Sequence, residues 1–258
     1  MSDIKEGKPL SEKVIGSNRL IIVLVTLAEV CGIISLALLV HWLDKYYEGY
    51  SFHKDDSALF SYHLIFMQTG MIFLFGNSIV VFRFSSALPI PRLMLKILHG
   101  VAHALVIFFI CLGIYSAVRM KNVFGHNDMY SSHSWYGVLT IALFFIEFAF
   151  GLVTFATPAF SDSMKQKLLP LHHYIGALTF IMAFVTVMTG IPRMNEFVAR
   201  TTGKSYAEYP AWSIVSNFYA LFTGVFVLLI MIVITNSAFK RQSNNASSAK
   251  DEKAATQF

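Results

Sequence analysis

The chain has 258 residues, of which 55% are hydrophobic and only 14% charged. Soluble domains carry about 25% charged residues, so this composition excludes an ordinary soluble enzyme and points to a chain built for lipid. A net charge of +5 does not imply nucleic acid, because the basic residues fall in loops and tails, where membrane proteins use them to fix orientation.

Met1–Asn18 is polar and charged and reads as a tail. The apolar run behind it is too long for a secretory signal peptide and lacks a small-residue cleavage site. A helix needs about 20 apolar residues to cross the hydrocarbon core. Six runs qualify: Arg19–Trp42, Ser61–Phe82, Leu93–Val118, His133–Thr154, Leu171–Ile191 and Trp212–Asn236. Backbone groups in lipid must be satisfied internally, so runs of this length mean helices. Pro89 and Pro91 break the chain between the second and third spans. Thr157–Pro158 ends the fourth, and Ile191–Pro192 ends the fifth. The connections leave no room for an extramembrane domain. Residues 240–258, rich in Ser, Asn, Ala and Lys, read as a disordered tail. The expectation is an all-α membrane protein: six transmembrane helices in one domain, 19–239, between tails at 1–18 and 240–258. Cys31 and Cys111 lie inside apolar runs and read as small core residues, not as a disulfide framework.

Orientation follows from Lys and Arg. Of the 20 in the chain, thirteen flank the side of the N-terminus and seven the opposite side. That bias places both termini in the cytoplasm.

Four histidines sit near the ends of four successive spans: His63, His99, His133 and His172. They alternate in depth, so His63 and His133 share the outer half, and His99 and His172 the cytoplasmic half. Ionisable residues inside a bilayer are costly and usually functional. Two imidazoles on opposite faces of a flat ring suit a b-type haem with both axial positions filled, held in a central four-helix bundle. Zinc is the rival, although its sites usually add Cys, a carboxylate or a third His. His103 lies one helical turn after His99 and either packs or bonds a haem edge. His173 points away from His172 around the helix, and His41, His53 and His126 lie at span ends or in loops.

The residues around these histidines resemble the cytochrome b561 family. Tyr130–Ser131–Ser132–His133–Ser134–Trp135 is similar to the family's Tyr-Ser-Leu-His-Ser-Trp motif, with Ser132 in place of leucine. Gly76–Asn77–Ser78–Ile79–Val80–Val81–Phe82–Arg83 resembles its Gly-Asn-Ala-Leu-Leu-Val-Tyr-Arg stretch. Lys96–Ile97–Leu98–His99–Gly100 resembles its Lys-x-x-His-Gly, and Leu169–Pro170–Leu171–His172 with Gly176 the start of its fifth span. The resemblance covers most of 19–240. It implies a six-helix protein with two haem b groups that carries electrons across a membrane from cytosolic ascorbate. It further implies that His63 and His133 hold the outer haem, and His99 and His172 the cytoplasmic one. Some members lack a histidine at the position of His103, which supports His99 as the ligand.

Ascorbate is an anion, so its site needs positive charge near a haem edge. The family's cytoplasmic ascorbate residues map best onto Arg92, Lys96 and Lys165, with Arg83 and Lys167 nearby; the bland alternative is that these charges only set topology. On the outer side Tyr130 matches a family residue, with Arg119, Lys121, His126 and Asp128 in the same loop. Lys121 stands where some relatives carry a histidine. The acceptor is monodehydroascorbate or chelated ferric iron, which corresponds either to ascorbate regeneration or to a ferric reductase for iron uptake. The membrane is that of a secretory or endolysosomal vesicle or the plasma membrane, and the resemblance implies a homodimer. Glu29 and Glu147, inside spans one and four, read as neutral hydrogen-bonded carboxyls between helices, with proton coupling as the sharper alternative. Two other classes compete: a histidine-lined transporter, expected to show broken mid-membrane helices and internal repeats, neither of which the sequence displays, and a structural subunit of a larger complex.

Overall fold

The computed structural model describes residues 10–52, 57–84, 90–125, 127 and 129–239. His53, His126, Asp128, the first nine residues of the N-terminal tail and the tail 240–258 lie outside the described residues. Six helices are long and apolar enough to cross a membrane. They are α1 (Leu10–Tyr46), α2 (Ala58–Arg83), α3 (Arg92–Phe124), α4 (Ser132–Ala156), α5 (Asp162–Thr202) and α6 (Ala211–Thr235). There is no strand among the described residues.

Helix boundaries exceed the expected spans where the sequence turns polar. Helix α1 begins at Leu10, inside the stretch expected to be tail. Helix α5 is 41 residues long and runs through both Pro170 and Pro192. The expected end of the fifth span at Ile191–Pro192 is therefore incorrect. A proline removes one intrahelical hydrogen bond, and a transmembrane helix tolerates this when neighbouring helices and Ser/Thr side chains satisfy the freed groups. Just before Pro192, Thr189 Oγ1 adds side-chain bonds to the carbonyls of Val185 and Thr186; the carbonyl that the proline leaves open is that of Met188. At about 1.5 Å per residue the helix is about 62 Å long, twice the roughly 30 Å hydrocarbon core. Its ends therefore project into water, where no apolar signal is needed.

Apolar side chains from all six helices meet in one core. Ile21 and Ala28 of α1, Ile72 and Phe75 of α2, Val106 of α3, Phe144 of α4, Phe180 of α5 and Phe226 of α6 are buried together. A second cluster joins Trp42 of α1, Val198 of α5 and Trp212 of α6. Many large apolar side chains of the same helices face outward, as lipid contact requires.

Helix α2 is not regular. Its middle, Gln68–Leu74, is a π-helix, which inserts a surplus residue and often marks a functional or strained site. Gln68, only 1% exposed, donates from Nε2 to Ser35 Oγ of α1 and Thr223 Oγ1 of α6, at 3.2 Å each. Tyr219 Oη of α6 donates to Gln68 Oε1 at 2.9 Å. This polar knot ties α2 to the outer pair α1 and α6. Replacing Gln68 by Leu leaves the Tyr219 hydroxyl without an acceptor and should cost about 1–3 kcal/mol, seen as a lower thermal midpoint in detergent. An unchanged midpoint would show the knot to be energetically neutral.

Candidate functional site

Local sequence sets the histidines in place. Ser131 Oγ accepts from Ser134 N and caps α4, so the helix opens at Ser132 with His133 in its first turn. Ser161 caps α5 in the same way through Met164 N. His172 consequently lies nearly three turns inside α5, not at its start as expected. His99 lies two turns into α3, which Pro91 precedes in extended conformation.

The four helices α2 to α5 exchange hydrogen bonds in reciprocal fashion. The Nδ1 of His63 on α2 donates to Gly113 O of α3 at 3.0 Å, and that of His99 on α3 donates to Ser78 O of α2 at 2.8 Å. The Nδ1 of His133 on α4 donates to Thr186 O of α5 at 2.8 Å, while His172 on α5 donates to the Glu147 carboxylate of α4. Carbonyl oxygens only accept, so the Nδ1 of His63, His99 and His133 carries the proton, and an ionised Glu147 sets the same tautomer at His172. The Nε2 lone pair is left available as a metal ligand. On α3, α4 and α5 the histidine and the acceptor for its partner lie fourteen residues apart (99 to 113, 133 to 147, 172 to 186). At about 1.5 Å per residue, this separates the two levels by about 21 Å. On α2 the interval is fifteen (63 to 78), and the π-helix between them absorbs the difference. The bundle thus contains a repeated arrangement, α2/α3 and α4/α5, that the sequence does not display.

Across each level the imidazoles face one another. The ring centres of His63 and His133 are 6.1 Å apart at 86°, and those of His99 and His172 are 6.1 Å apart at 79°. Two imidazoles bound to one metal at about 2.0–2.1 Å per bond place their ring centres about 6 Å apart. Among the described residues no group of three or more His, Cys, Asp or Glu gathers as a metal site. Each level therefore offers two imidazoles at that spacing, which suits a metal whose remaining ligands come from a macrocycle. Two glycines keep these rings in position. A Cβ at Gly190 would lie 2.9 Å from His133 Cε1 and Nδ1, and one at Gly151 would lie 3.2 Å from His172 Cε1.

His103 packs beside the His99 ring, 4.4 Å between centres, and its Nε2 donates to Ser78 Oγ at 2.9 Å. That hydroxyl in turn donates to Phe75 O. Glu29 accepts from Asn77 Nδ2 at 3.4 Å. The expected inter-helix hydrogen bonds of Glu29 and Glu147 are therefore both present.

The charged candidates divide. Lys96 Nζ donates to Phe155 O at 3.4 Å and Lys165 Nζ to Thr157 O at 3.1 Å, so both converge on the end of α4. The Phe155 ring is 5.0 Å from that of His172. Arg83 instead donates to Ile234 O at 2.6 Å, in the last turn of α6, where a cation complements the helix dipole. Arg92 is exposed at the start of α3. At the other end Tyr130 Oη accepts from Arg193 Nη2 at 2.6 Å, with the guanidinium 4.9 Å and Lys121 Nζ 5.8 Å from its ring. Arg193 also bonds Glu196, which pairs with Arg200. Sequence reasoning missed Arg193 and Glu196 as site residues, because ending the helix at Pro192 concealed that they continue it. A surface groove of about 640 Å³ between α3 and α4, lined by Ile110, Ile114, Tyr115, Ile141 and Phe145 among others, includes none of the four histidines.

Six apolar helices with a histidine pair toward each end define a multi-pass membrane protein with two separate histidine levels. Residues 62–197 match the family model for eukaryotic cytochrome b561, and the chain belongs to this haem-binding family. It is 30% identical over 216 residues to the lysosomal membrane ascorbate-dependent ferrireductase CYB561A3 of Mus musculus, covering 83% of this chain and 88% of that one. It is 28% identical over 219 residues to the transmembrane ascorbate-dependent reductase CYB561 of Bos taurus, covering 84% of this chain and 83% of that one.

Proposed function

We propose that the chain is a transmembrane oxidoreductase that passes single electrons from cytosolic ascorbate to an acceptor on the opposite side. The carrying observation is the pair of imidazoles at each level, 6.1 Å between ring centres, with Nδ1 anchored and Nε2 available. His63 and His133 hold one haem b, and His99 and His172 a second. A haem held between two histidines would supply one-electron exchange and leave no place for a substrate at the metal. Substrates must therefore be met by side chains at the two faces.

On the face of His99 and His172, Lys96 and Lys165 attract the ascorbate anion beside Phe155 and His172. Arg92 extends the positive field at the start of α3. The excess of Lys and Arg on this side makes it, and both termini, cytoplasmic. On the opposite face Lys121, Arg193 and Tyr130 form a cationic and hydroxyl-bearing patch suited to an anionic acceptor, either monodehydroascorbate or a ferric chelate. One relative is named a ferrireductase and the other a reductase with no acceptor specified, and a vesicle of the endolysosomal or secretory system, or the plasma membrane, suits this chain.

The decisive experiment is the absorption spectrum of the purified protein before and after ascorbate. Reduced b-type bands should appear with ascorbate alone, and absence of haem, or haem that ascorbate leaves oxidised, overturns the proposal. Changing Lys96 and Lys165 together to Ala should raise the ascorbate concentration for half-maximal reduction rate by about tenfold. The two haems should remain, and the deficit should shrink as salt is added. An unchanged concentration dependence would return both lysines to a purely topological role.

A further inference from the structure

Three of the four histidines donate from Nδ1 to a neutral backbone carbonyl, and only His172 donates to a carboxylate. We propose that Glu147 is a positioning and charge-donating residue that lowers the reduction potential of the haem held by His99 and His172 relative to that held by His63 and His133. This rests on the reading of His172 as a haem ligand.

The geometry is built for this purpose. Glu147 projects from α4 at the same level as His172, and the residue is 8% exposed. Gly151, one turn further along α4, leaves room for the His172 ring. Just beyond it the helix widens into a π segment at Leu152–Ala156, which brings the Phe155 ring against His172. A carboxylate that accepts the Nδ1 proton fixes the ring orientation and raises the electron density at Nε2. A more electron-rich axial nitrogen favours oxidised iron over reduced iron, so the potential falls. Burial keeps the charge from being screened by water and strengthens the effect. Among the described residues the level of His63 and His133 has no such group: its acceptors are the peptide oxygens of Gly113 and Thr186. One electron delivered on the cytoplasmic side would thus move to the outer haem with a favourable free energy. No bond or proton needs to change place between the two levels.

The test is a spectroelectrochemical titration of the purified two-haem protein beside Glu147→Gln, which keeps the volume and an acceptor oxygen but removes the charge. The expected result is a rise in one midpoint potential only. It should change the one-electron distribution between the haems by tenfold or more, where tenfold corresponds to about 59 mV. One of the two low-spin ferric resonance signals should move with it. Unchanged midpoints, or two midpoints displaced equally, would overturn the proposal. So would a shift in Glu147→Leu that is absent from Glu147→Gln, because the acceptor would then only orient the ring. A companion His172→Ala separates the two readings. Retention of both haems in that variant refutes the ligand assignment itself, while loss of one haem there with unmoved potentials in Glu147→Gln refutes only the role of Glu147.

Discussion

Replacing His63 and His133 together by Ala should remove one of the two proposed haems and leave the second spectroscopically intact. The two levels share helices but not side chains. His63 and His133 anchor to Gly113 and Thr186, whereas His99 and His172 anchor to Ser78 and Glu147. About 21 Å of helix separates the levels, well beyond the distance at which substitutions usually couple. Haem content per chain should fall by half, measured as the pyridine haemochrome, and the remaining haem should still be reduced by ascorbate from the cytoplasmic side. Transfer to an external acceptor should be lost by several orders of magnitude, because no ligand pair remains near that face. Loss of both haems, or of neither, would refute the pairing by level.

A comparable loss is expected from a residue that touches no substrate. Gly190→Val places two methyl groups where even a Cβ would stand 2.9 Å from the His133 ring. The ring cannot yield without breaking its bond to Thr186 O, and it must turn out of line with His63. The expected outcome is the outer haem lost or at low occupancy, with the cytoplasmic haem retained. Gly137→Ala is the matched control. Its Cβ would meet only Thr186 Cγ2, at an ordinary 3.6 Å, so haem content should not change. Equal effects of both substitutions would mean that general disturbance of α4 and α5, and not the approach to His133, governs occupancy.

The number of spans, their order and the four histidines were legible from apolar run length and from the depth at which each histidine falls. Those signals rest on lipid, which imposes a length and forbids unpaired backbone. What stayed hidden was governed by other forces. The true ends of α5 lie in water, where Asp162 and Thr202 carry no apolar signal, and Pro192 misled because one missing backbone bond does not end so long a helix. The acceptors for three imidazoles are peptide oxygens, which any residue supplies, so nothing at Gly113 or Thr186 announces them. Glu147 was visible as a buried carboxyl, but its partner lies 25 residues away on another helix. Arg83 looked like part of the ascorbate cluster, yet it reaches the carbonyl end of α6, a choice set by packing in three dimensions.

The surplus residue in α2 bears on how such chains are compared. In a continuous α-helix one extra residue turns everything beyond it by about 100°, so the apolar stripe before Gln68 and the stripe after Leu74 belong to different phases. A single hydrophobic period fitted across the whole span would average the two and lose both. Superposing α2 on α3, α4 or α5 by residue count keeps the histidine and the acceptor aligned only when one position within 68–74 is opened as a gap. That stretch is the natural place for a one-residue length difference between otherwise equivalent spans.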